Sequence, residues 1–439
     1  MGTKAKKIVL LVGDIIVLWG ALALTLLIRY GQVEFMSQMG THWPRFIFIF
    51  IVFVITIYIN QLYDVNILAI SGRFLRQTIN TIVAAGLISV IYFYISISSE
   101  ISPKTNLAIF IVIFLALFYL WRLAMQSLGR SLPLEGLAII GHNQKSELLK
   151  NELARNPGAG YRLEAIIEQE NNFSELAAQV VAGKIKNIVI CNGFDPKKTG
   201  AFLLSLLPHK ISVFNYPDFY ETLTGKIPVE AINTDWFLEN LKEGRRHYFQ
   251  ATKRLLDLSM AILIFICSLP LWPLIALAIK WESKGPIFFK QARLGRQGAR
   301  FQIIKFRTMK TENNNQAQTE VGDKRITRLG DFLRKTRLDE LPQTLNIIKG
   351  EMSFIGPRPE RPELADKLEE SIPFYNTRLI VKPGLTGWDQ VSGEYHSPSH
   401  EDTLKKLQND LFYIKNRSMF LDFVIALKTV ATVFGRGGR

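Results

Sequence analysis

The chain has 439 residues, 48% of them hydrophobic, with 53 Lys and Arg against 38 Asp and Glu, a net charge of +15 and a mean hydropathy of +0.14. That length calls for more than one folded unit, and that composition is too apolar for a simple soluble enzyme. A basic balance of this size suits nucleic acid, an anionic membrane face or phosphate-rich substrates; with no interleaving of basic and aromatic residues, nucleic acid is excluded as a partner and the membrane reading leads. Two cysteines, Cys191 and Cys267, rule out a disulfide scaffold or a cysteine zinc site. The six His are scattered, and no small-residue cleavage site follows the first apolar run.

Four apolar runs open the chain, at about 8–28, 46–62, 79–97 and 107–125. Each is near the roughly 20 residues that a spanning helix needs, and helices apolar on all faces do not suit a soluble core. Lys4, Lys6, Lys7, Arg73, Arg76, Arg122 and Arg130 fall on one side of these runs, and Arg29, Arg45 and Lys104 on the other. This bias predicts a cytoplasmic N-terminus and a cytoplasmic location for everything after Arg130.

Residues 131–240 alternate strand and helix patterns: GLAIIGHN, a helix over 146–155, YRLEAIIE, NIVICN and ISVFNYP. The alternation predicts a parallel, Rossmann-like sheet. Gly141 is followed by His142, Asn143, Gln144, Lys145 and Ser146, so the GxGxxG fingerprint is absent and close approach of a pyrophosphate is not expected. A structural or regulatory role is the expectation for this domain.

A fifth apolar run, 255–279, contains Pro270 and Pro273 and has basic residues on both flanks, Lys253 and Arg254 before and Lys280 and Lys284 after. Proline in mid-helix removes a hydrogen bond and clashes with the preceding turn. Residues 280–439 hold 28 Lys and Arg against 19 Asp and Glu, a charge that belongs on the cytoplasmic side. A helix broken at Pro270, entering and leaving on one face, satisfies both constraints; the alternative is a kinked fifth span.

The basic domain, within 241–439, begins with two short strands in GPIFFKQARLGRQGARFQIIKFRTM, 285–309. Strand alternation would put Lys305 and Arg307 on one side, facing an anion, or on a solvated basic edge. Residues 312–320 read as a polar loop, and VKPGLTGW, 381–388, as a turn-rich loop near substrate. Asp410 lies among apolar residues, and 420–434 is an amphipathic stretch.

The centre of the domain is LRKTRLDELPQTLNIIKGEMSFIGPRP, 333–359. Pro342 suits a first helical turn and Gly350 a helix stop, predicting a short helix over 341–349. Asp339 and Glu340 stand at its N-terminal mouth, with Arg334, Lys335 and Arg337 upstream and Arg358 downstream. Carboxylates amid such positive charge are expected to stay ionised at neutral pH. An ionised carboxylate beside phosphate-binding arginines suits a nucleophile for phosphoryl chemistry or a magnesium ligand; the plain alternative is a helix cap on a solvated basic surface.

KRLLD at 253–257, GPIFFKQARLG, FQIIKFRTM, the 333–359 stretch, VKPGLTGW and DLFYIKNRSMFLDF, in this order, resemble the bacterial sugar transferases, the polyprenyl-phosphate hexose-1-phosphate transferases. The four spans and the stretch YETLTGKIPVEAIN resemble the long membrane form of that family. The resemblance implies a membrane protein with three parts: four transmembrane helices (1–130), a degenerate Rossmann-like α/β domain (131–240), and a monotopic α+β catalytic domain (241–439) with a re-entrant helix at about 253–281 bent at Pro270. It implies transfer of a sugar-1-phosphate from a UDP-sugar to undecaprenyl phosphate at the inner face of the bacterial plasma membrane, with release of UMP. This step begins an exopolysaccharide, capsule or O-antigen repeat. It further implies Asp339 as the covalent nucleophile, Glu340 as its assistant, and Mg2+ held by the two, with Asp410 a further candidate ligand. Arg358 would contact phosphate, with Lys305, Arg307 and Arg337 as further phosphate-binding candidates. A homodimer is compatible with the long form. Asp389, after the Trp of VKPGLTGW, stands where the family usually has a small residue, which bears on sugar selectivity. Two competing readings are a membrane scaffold with an inactive catalytic domain and a membrane-bound dehydrogenase or epimerase. The intact acidic pair opposes the first; the missing glycines and the lack of a YxxxK pair oppose the second.

Overall fold

The computed structural model describes residues 3–60, 62–63, 72–95, 103–131, 134–191, 194–241, 246–310, 323, 325–392 and 399–434. The loop expected at 312–320 and the side chains of Lys4, Lys6, Lys7, Arg73, Lys104 and Arg130 lie outside the described residues. The chain forms two compact units, Met1–Phe219 and Tyr220–Arg439. Apolar helices make up its N-terminal region, and the rest is mixed α and β.

The first unit opens with α1 (Thr3–Ile59), α2 (Gly72–Ile95) and α3 (Pro103–Ser131). Helix α1 is interrupted at Gly31, whose φ of 73° is one that only glycine adopts readily. Among the described residues, three helical stretches are long and apolar enough to cross a membrane: Ile8–Ile59, Phe74–Phe93 and Thr105–Ser127. The helices pack through Phe46, Phe53, Phe110, Phe114 and Phe118, all buried. Their outer faces are apolar as well, with Ile16, Ile51, Leu87 and Val112 exposed. Such all-round apolarity fits a lipid environment. Asp14 and Arg122 form a fully buried ion pair at 2.7 Å between α1 and α3.

The unit continues with β1 (Glu135–Ile140), α4 (Gln144–Arg155), β2 (Tyr161–Ile167), α5 (Phe173–Val181), β3 (Asn187–Ile190), α6 (Pro196–Leu206) and β4 (Ser212–Asn215). The strands form one parallel sheet in the order β2-β1-β3-β4. The turn after β1 is closed by Asn143, whose Oδ1 accepts from the backbone N–H of Lys145 and Ser146 at the start of α4.

The unit division falls within α7 (Tyr216–Thr224). The second unit holds α8 (Thr234–Asn240), then α9 (His247–Ser268) and α10 (Leu271–Glu282), a pair bent by 61° at Leu269–Pro270. The pair's surface carries exposed Leu255, Leu263, Ile266, Leu274, Leu277 and Trp281. An antiparallel hairpin follows, β5 (Phe288–Leu294) with β6 (Arg300–Phe306), then α11 (Arg328–Lys335) and α12 (Gln343–Lys349). Next come β7 (Ser353–Ile355), α13 (Pro362–Ser371), β8 (Gly384–Thr386) and α14 (Trp388–Val391), with β7 and β8 paired in parallel. The chain ends in α15 (His400–Asn416) and α16 (Met419–Phe434). The main core of this unit gathers Ile355, Tyr375, Leu407, Leu411, Tyr413, Ile414 and Ile425. A smaller one, formed by Ala261, Phe301, Ile303, Ile347 and Met352, joins α9, β6 and α12.

Candidate active site

Helix α12 is fixed from three sides. The Asn346 Nδ2 donates to Gln302 O and to Glu351, each at 2.7 Å, and its Oδ1 accepts from Ile304 N–H at 3.2 Å. This ties the helix to β6. At its C-terminal end the Arg254 guanidinium donates to Ile347 O at 2.6 Å and Ile348 O at 2.8 Å, satisfying carbonyls that a helix end leaves unpaired. Gly350 stops the helix with φ 84°. Lys253 and Asp257, in the same α9 motif, bind Asp422 at 2.6 Å and Phe354 N–H at 3.3 Å. At this flank of the bent helix pair, Arg254 thus braces the helix that follows the acidic pair, while Lys253 and Asp257 tie α9 to α16 and β7.

Ahead of α12 the chain makes a 3₁₀ turn over Leu338–Glu340, which carries both carboxylates. Arg337 enters it with φ 59°, a left-handed conformation that costs a non-glycine residue roughly 1–2 kcal/mol. The turn directs the Arg337 guanidinium to Glu340 Oε2 at 3.5 Å. Lys305 Nζ reaches Glu340 Oε1 at 2.8 Å, and Arg358 reaches the same oxygen at 3.4 Å. One carboxylate thus meets three cations. Burial by itself would push Glu340 up, but Lys305, Arg358 and Arg337 outweigh it and hold Glu340 at about 2.

Asp339 behaves differently. It is equally buried, yet among the described residues it has neither a hydrogen bond nor an ion pair. Burial first, and then the Glu340 charge, raise it to about 6, against the pull of Lys305, Arg334 and Arg337. Both carboxylates are thus ionised at neutral pH, but Asp339 takes up its proton near 6 while Glu340 stays charged to far lower pH. Burial also lowers Lys305, against the pull of Glu340 and Asp339.

The other expected residues separate. Arg307 lies one residue beyond the end of β6, and its guanidinium donates to Lys284 O at 3.0 Å and Ser283 O at 2.7 Å, at the end of α10. It is not brought to the acidic pair. Asp410 is buried against Arg378 at 2.7 Å, and Arg378 also donates to Arg358 O at 3.0 Å and to the Tyr375 hydroxyl at 2.5 Å. Asp410 therefore anchors the arginine that fixes the GPRP backbone. Pro270 N-caps α10 at the bend. Asp389 is buried at the start of α14 and accepts from Asn409 at 3.1 Å.

Sequence reasoning missed Arg378, because nothing in an isolated Arg of a 3₁₀ segment marks it. It also gave no role to Arg334, whose Nε donates to Thr308 at 2.9 Å, although the spacing to Asp339 was a usable signal. The motif glycines are steric: a Cβ on Gly384 would lie 2.1 Å from Gly356 N, so VKPGLTGW and GPRP can pack backbone to backbone only without one.

No group of three or more His, Cys, Asp and Glu converges among the described residues. Two adjacent carboxylates, one without an ion-pair contact among the described residues, fit an ion shared between protein and substrate phosphates, as magnesium usually is, rather than an all-protein cage.

The family described as bacterial sugar transferase matches residues 248–436. The UDP-N-acetylgalactosamine-undecaprenyl-phosphate N-acetylgalactosaminephosphotransferase of Aeromonas hydrophila is 40% identical over 232 residues, which is 52% of this chain and 54% of that protein. The UDP-glucose:undecaprenyl-phosphate glucose-1-phosphate transferase of Escherichia coli (strain K12) is 31% identical over 314 residues, 67% of this chain and 66% of its own. The exopolysaccharide production protein PSS of Rhizobium leguminosarum bv. phaseoli is 36% identical over 193 residues, covering 42% of this chain and 96% of that protein. The match thus spans about half the length of the Aeromonas relative and nearly all of the Rhizobium one. On the family match and on this last coverage, the chain belongs to the bacterial sugar transferase family.

Proposed function

We propose that this chain transfers a sugar-1-phosphate from a UDP-sugar to undecaprenyl phosphate, with Asp339 as nucleophile. The observation that carries this reading is the division within the acidic pair: Glu340 is held by three cations, while its neighbour Asp339 has no hydrogen-bond or ion-pair partner among the described residues and lies amid the same positive charge. An Asp339 oxygen attacks the phosphorus attached to the sugar. The bond from that phosphorus to the UMP oxygen breaks, and UMP leaves with the electron pair. The phosphate of undecaprenyl phosphate then attacks the aspartyl-phosphosugar, and Asp339 departs as carboxylate. Lys305, Arg337 and Arg358 orient and neutralise phosphate oxygens by charge-assisted bonds. Asp339 and Glu340 would hold magnesium, which when bound supplies charge neutralisation on the pyrophosphate.

The same reading extends to the membrane. The Ile8–Ile59 stretch has 52 residues, about 78 Å as continuous helix, more than twice the hydrocarbon core. We read it as two passes joined near Gly31, giving four with α2 and α3. The α9–α10 pair has an apolar exterior, a 61° bend and basic residues at both ends, which supports a re-entrant element presenting the active site to the cytoplasmic face of the inner membrane. The parallel sheet β2-β1-β3-β4 supports a Rossmann-like ancestry. Asn143 occupies the helix N–H groups that would otherwise meet a pyrophosphate, so the domain is degenerate as a nucleotide site. The name of the Rhizobium relative, an exopolysaccharide production protein, supports a place in exopolysaccharide synthesis.

The test is a burst measurement. The protein in nanodiscs is mixed with UDP-glucose or UDP-N-acetylgalactosamine, without undecaprenyl phosphate. About one UMP per chain is expected, continuing into turnover only when the lipid phosphate is added. Turnover with lipid but no burst without it would reject the covalent step.

A further inference from the structure

We infer that Gln343 is a substrate-binding residue, donating from its amide Nε2 to a phosphoryl oxygen in a small cleft beside the acidic pair. This rests on the transfer reading above and adds to it a residue that needs no charge. Gln343 opens α12 and is 2% exposed, and among the described residues its Nε2 has no hydrogen-bond partner. A buried amide donor left unpaired is destabilising, and native chains keep few of them.

Gln343 lines a cleft of about 20 Å³ with Arg293, Ile303, Lys305, Arg358, Pro359 and Gly384. Four separate motifs meet there: the β5–β6 hairpin, the LPQ segment, GPRP and the VKPGLTGW loop. A second unpaired donor belongs to the same lining. The Arg293 NH groups are taken by Pro359 O at 3.0 Å and Gln291 at 2.7 Å, but its Nε, also buried, has no partner. Lys305 and Arg358 add positive charge. Among the described residues the buried unpaired side-chain atoms in the lining are thus donors, and the charged groups are cations. Such a lining selects an acceptor with negative charge, and the volume admits one oxygen-sized group. A phosphoryl oxygen satisfies both requirements; an ammonium, an amide N–H or an apolar group does not. Because Lys305 and Arg358 also hold Glu340, the cleft adjoins the acidic pair.

The discriminating variant is Gln343→Met, which keeps length and volume and removes the polar end. A structural glutamine would lose stability on this change. A donor held unpaired for substrate would lose none, because an unsatisfied buried group has been removed. Three quantities are read on the full-length protein in nanodiscs: Tm without ligand, the Tm shift produced by UDP, and kcat/KM for UMP release. Gln343→Met is expected to match or exceed wild-type Tm, to lose most of the UDP shift, and to lower kcat/KM roughly ten- to a hundredfold. Gln343→Glu, which brings a like charge to the phosphate, should lower it further. A Gln343→Met protein with wild-type kcat/KM and UDP shift, or one whose Tm falls in step with its activity, overturns the inference. Absence of UMP release by the wild type with every donor would count against the transfer reading. The UDP shift would then still decide the cleft: a shift lost in Gln343→Met supports it, and an equal or absent shift overturns it.

Discussion

Lys305 Nζ lies 2.8 Å from Glu340 Oε1, while Asp339, one residue earlier on the same 3₁₀ turn, has no ion-pair partner among the described residues. This asymmetry divides the work of two adjacent carboxylates. Glu340 is neutralised in advance by Lys305, Arg337 and Arg358. Asp339 keeps its charge only against burial and the neighbouring anion, and a carboxylate so placed gains by giving up charge to a phosphorus centre.

Asp339→Asn should therefore abolish turnover and raise stability together. The folded-state value of Asp339, about 6, lies above its ordinary 3.8. Below the ordinary value the group is protonated in the folded and unfolded chain alike; as pH rises from 3.8 to about 6 only the unfolded chain loses its proton, so stability falls across that window and the full cost stands above it. At neutral pH the ionised group costs on the order of 2–3 kcal/mol, which the neutral amide relieves. Thermal unfolding at pH 7.5 should show a higher Tm for the variant. The wild-type kcat/KM for UMP release should fall about tenfold per pH unit below about 6 as the nucleophile becomes protonated. A flat profile between pH 5 and 7 would refute the assignment.

Glu340 carries the opposite linkage. Its folded value is held at about 2, below the ordinary 4.5, so its contribution to stability is complete above pH 4.5 and disappears as pH falls toward 2. Lys305→Ala removes the nearest cation and leaves a buried carboxylate with two longer contacts. Denaturant titration at pH 7 should show a loss of roughly 3 kcal/mol, and the loss should shrink at pH 4. Equal losses at both pH values would mean that Lys305 acts through packing rather than charge.

These charge relationships were only partly legible in the sequence. The α12 helix was readable because its signals are local: Pro342 at the start and Gly350 at the stop. The hairpin was readable from its alternation, which carried Lys305 to the site. The same alternation misdirected Arg307, because β6 ends at Phe306 and the next residue turns toward the end of α10. The raised Asp339 was not readable, since a list of nearby basic residues says nothing of burial. Nor was the Arg378–Asp410 pair, which joins residues 32 apart through tertiary packing.

That pair separates two roles for Asp410. If it only anchors Arg378, Asp410→Asn should destabilise the protein by about 3–5 kcal/mol, because it leaves a buried guanidinium uncompensated. The magnesium concentration giving half-maximal UMP release should remain within a factor of two of wild type. A rise of tenfold or more in that concentration, with stability unchanged, would instead make Asp410 a metal ligand.

The bent helix pair can be tested through its two ends. Tyr248 near the start of α9 and Trp281 near the end of α10 are 91% and 90% exposed. In a background with Cys191 and Cys267 replaced by serine, Tyr248→Cys and Trp281→Cys are introduced one at a time and treated with a membrane-impermeant maleimide. A re-entrant pair keeps both ends on the cytoplasmic face, so both sites should react in inverted vesicles and neither in intact spheroplasts. Labelling of Trp281→Cys from the outside, with Tyr248→Cys reactive only from within, would make the pair a kinked span. It would also place the basic residues after Glu282 across the membrane, where neither the positive-inside bias nor a cytoplasmic nucleotide donor could be satisfied. Straightening the bend gives an independent measure. Pro270→Ala restores the missing helix donor, and if the bend holds the acidic pair at the depth of a lipid phosphate, its effect should fall on KM for undecaprenyl phosphate and leave the lipid-free UMP burst intact.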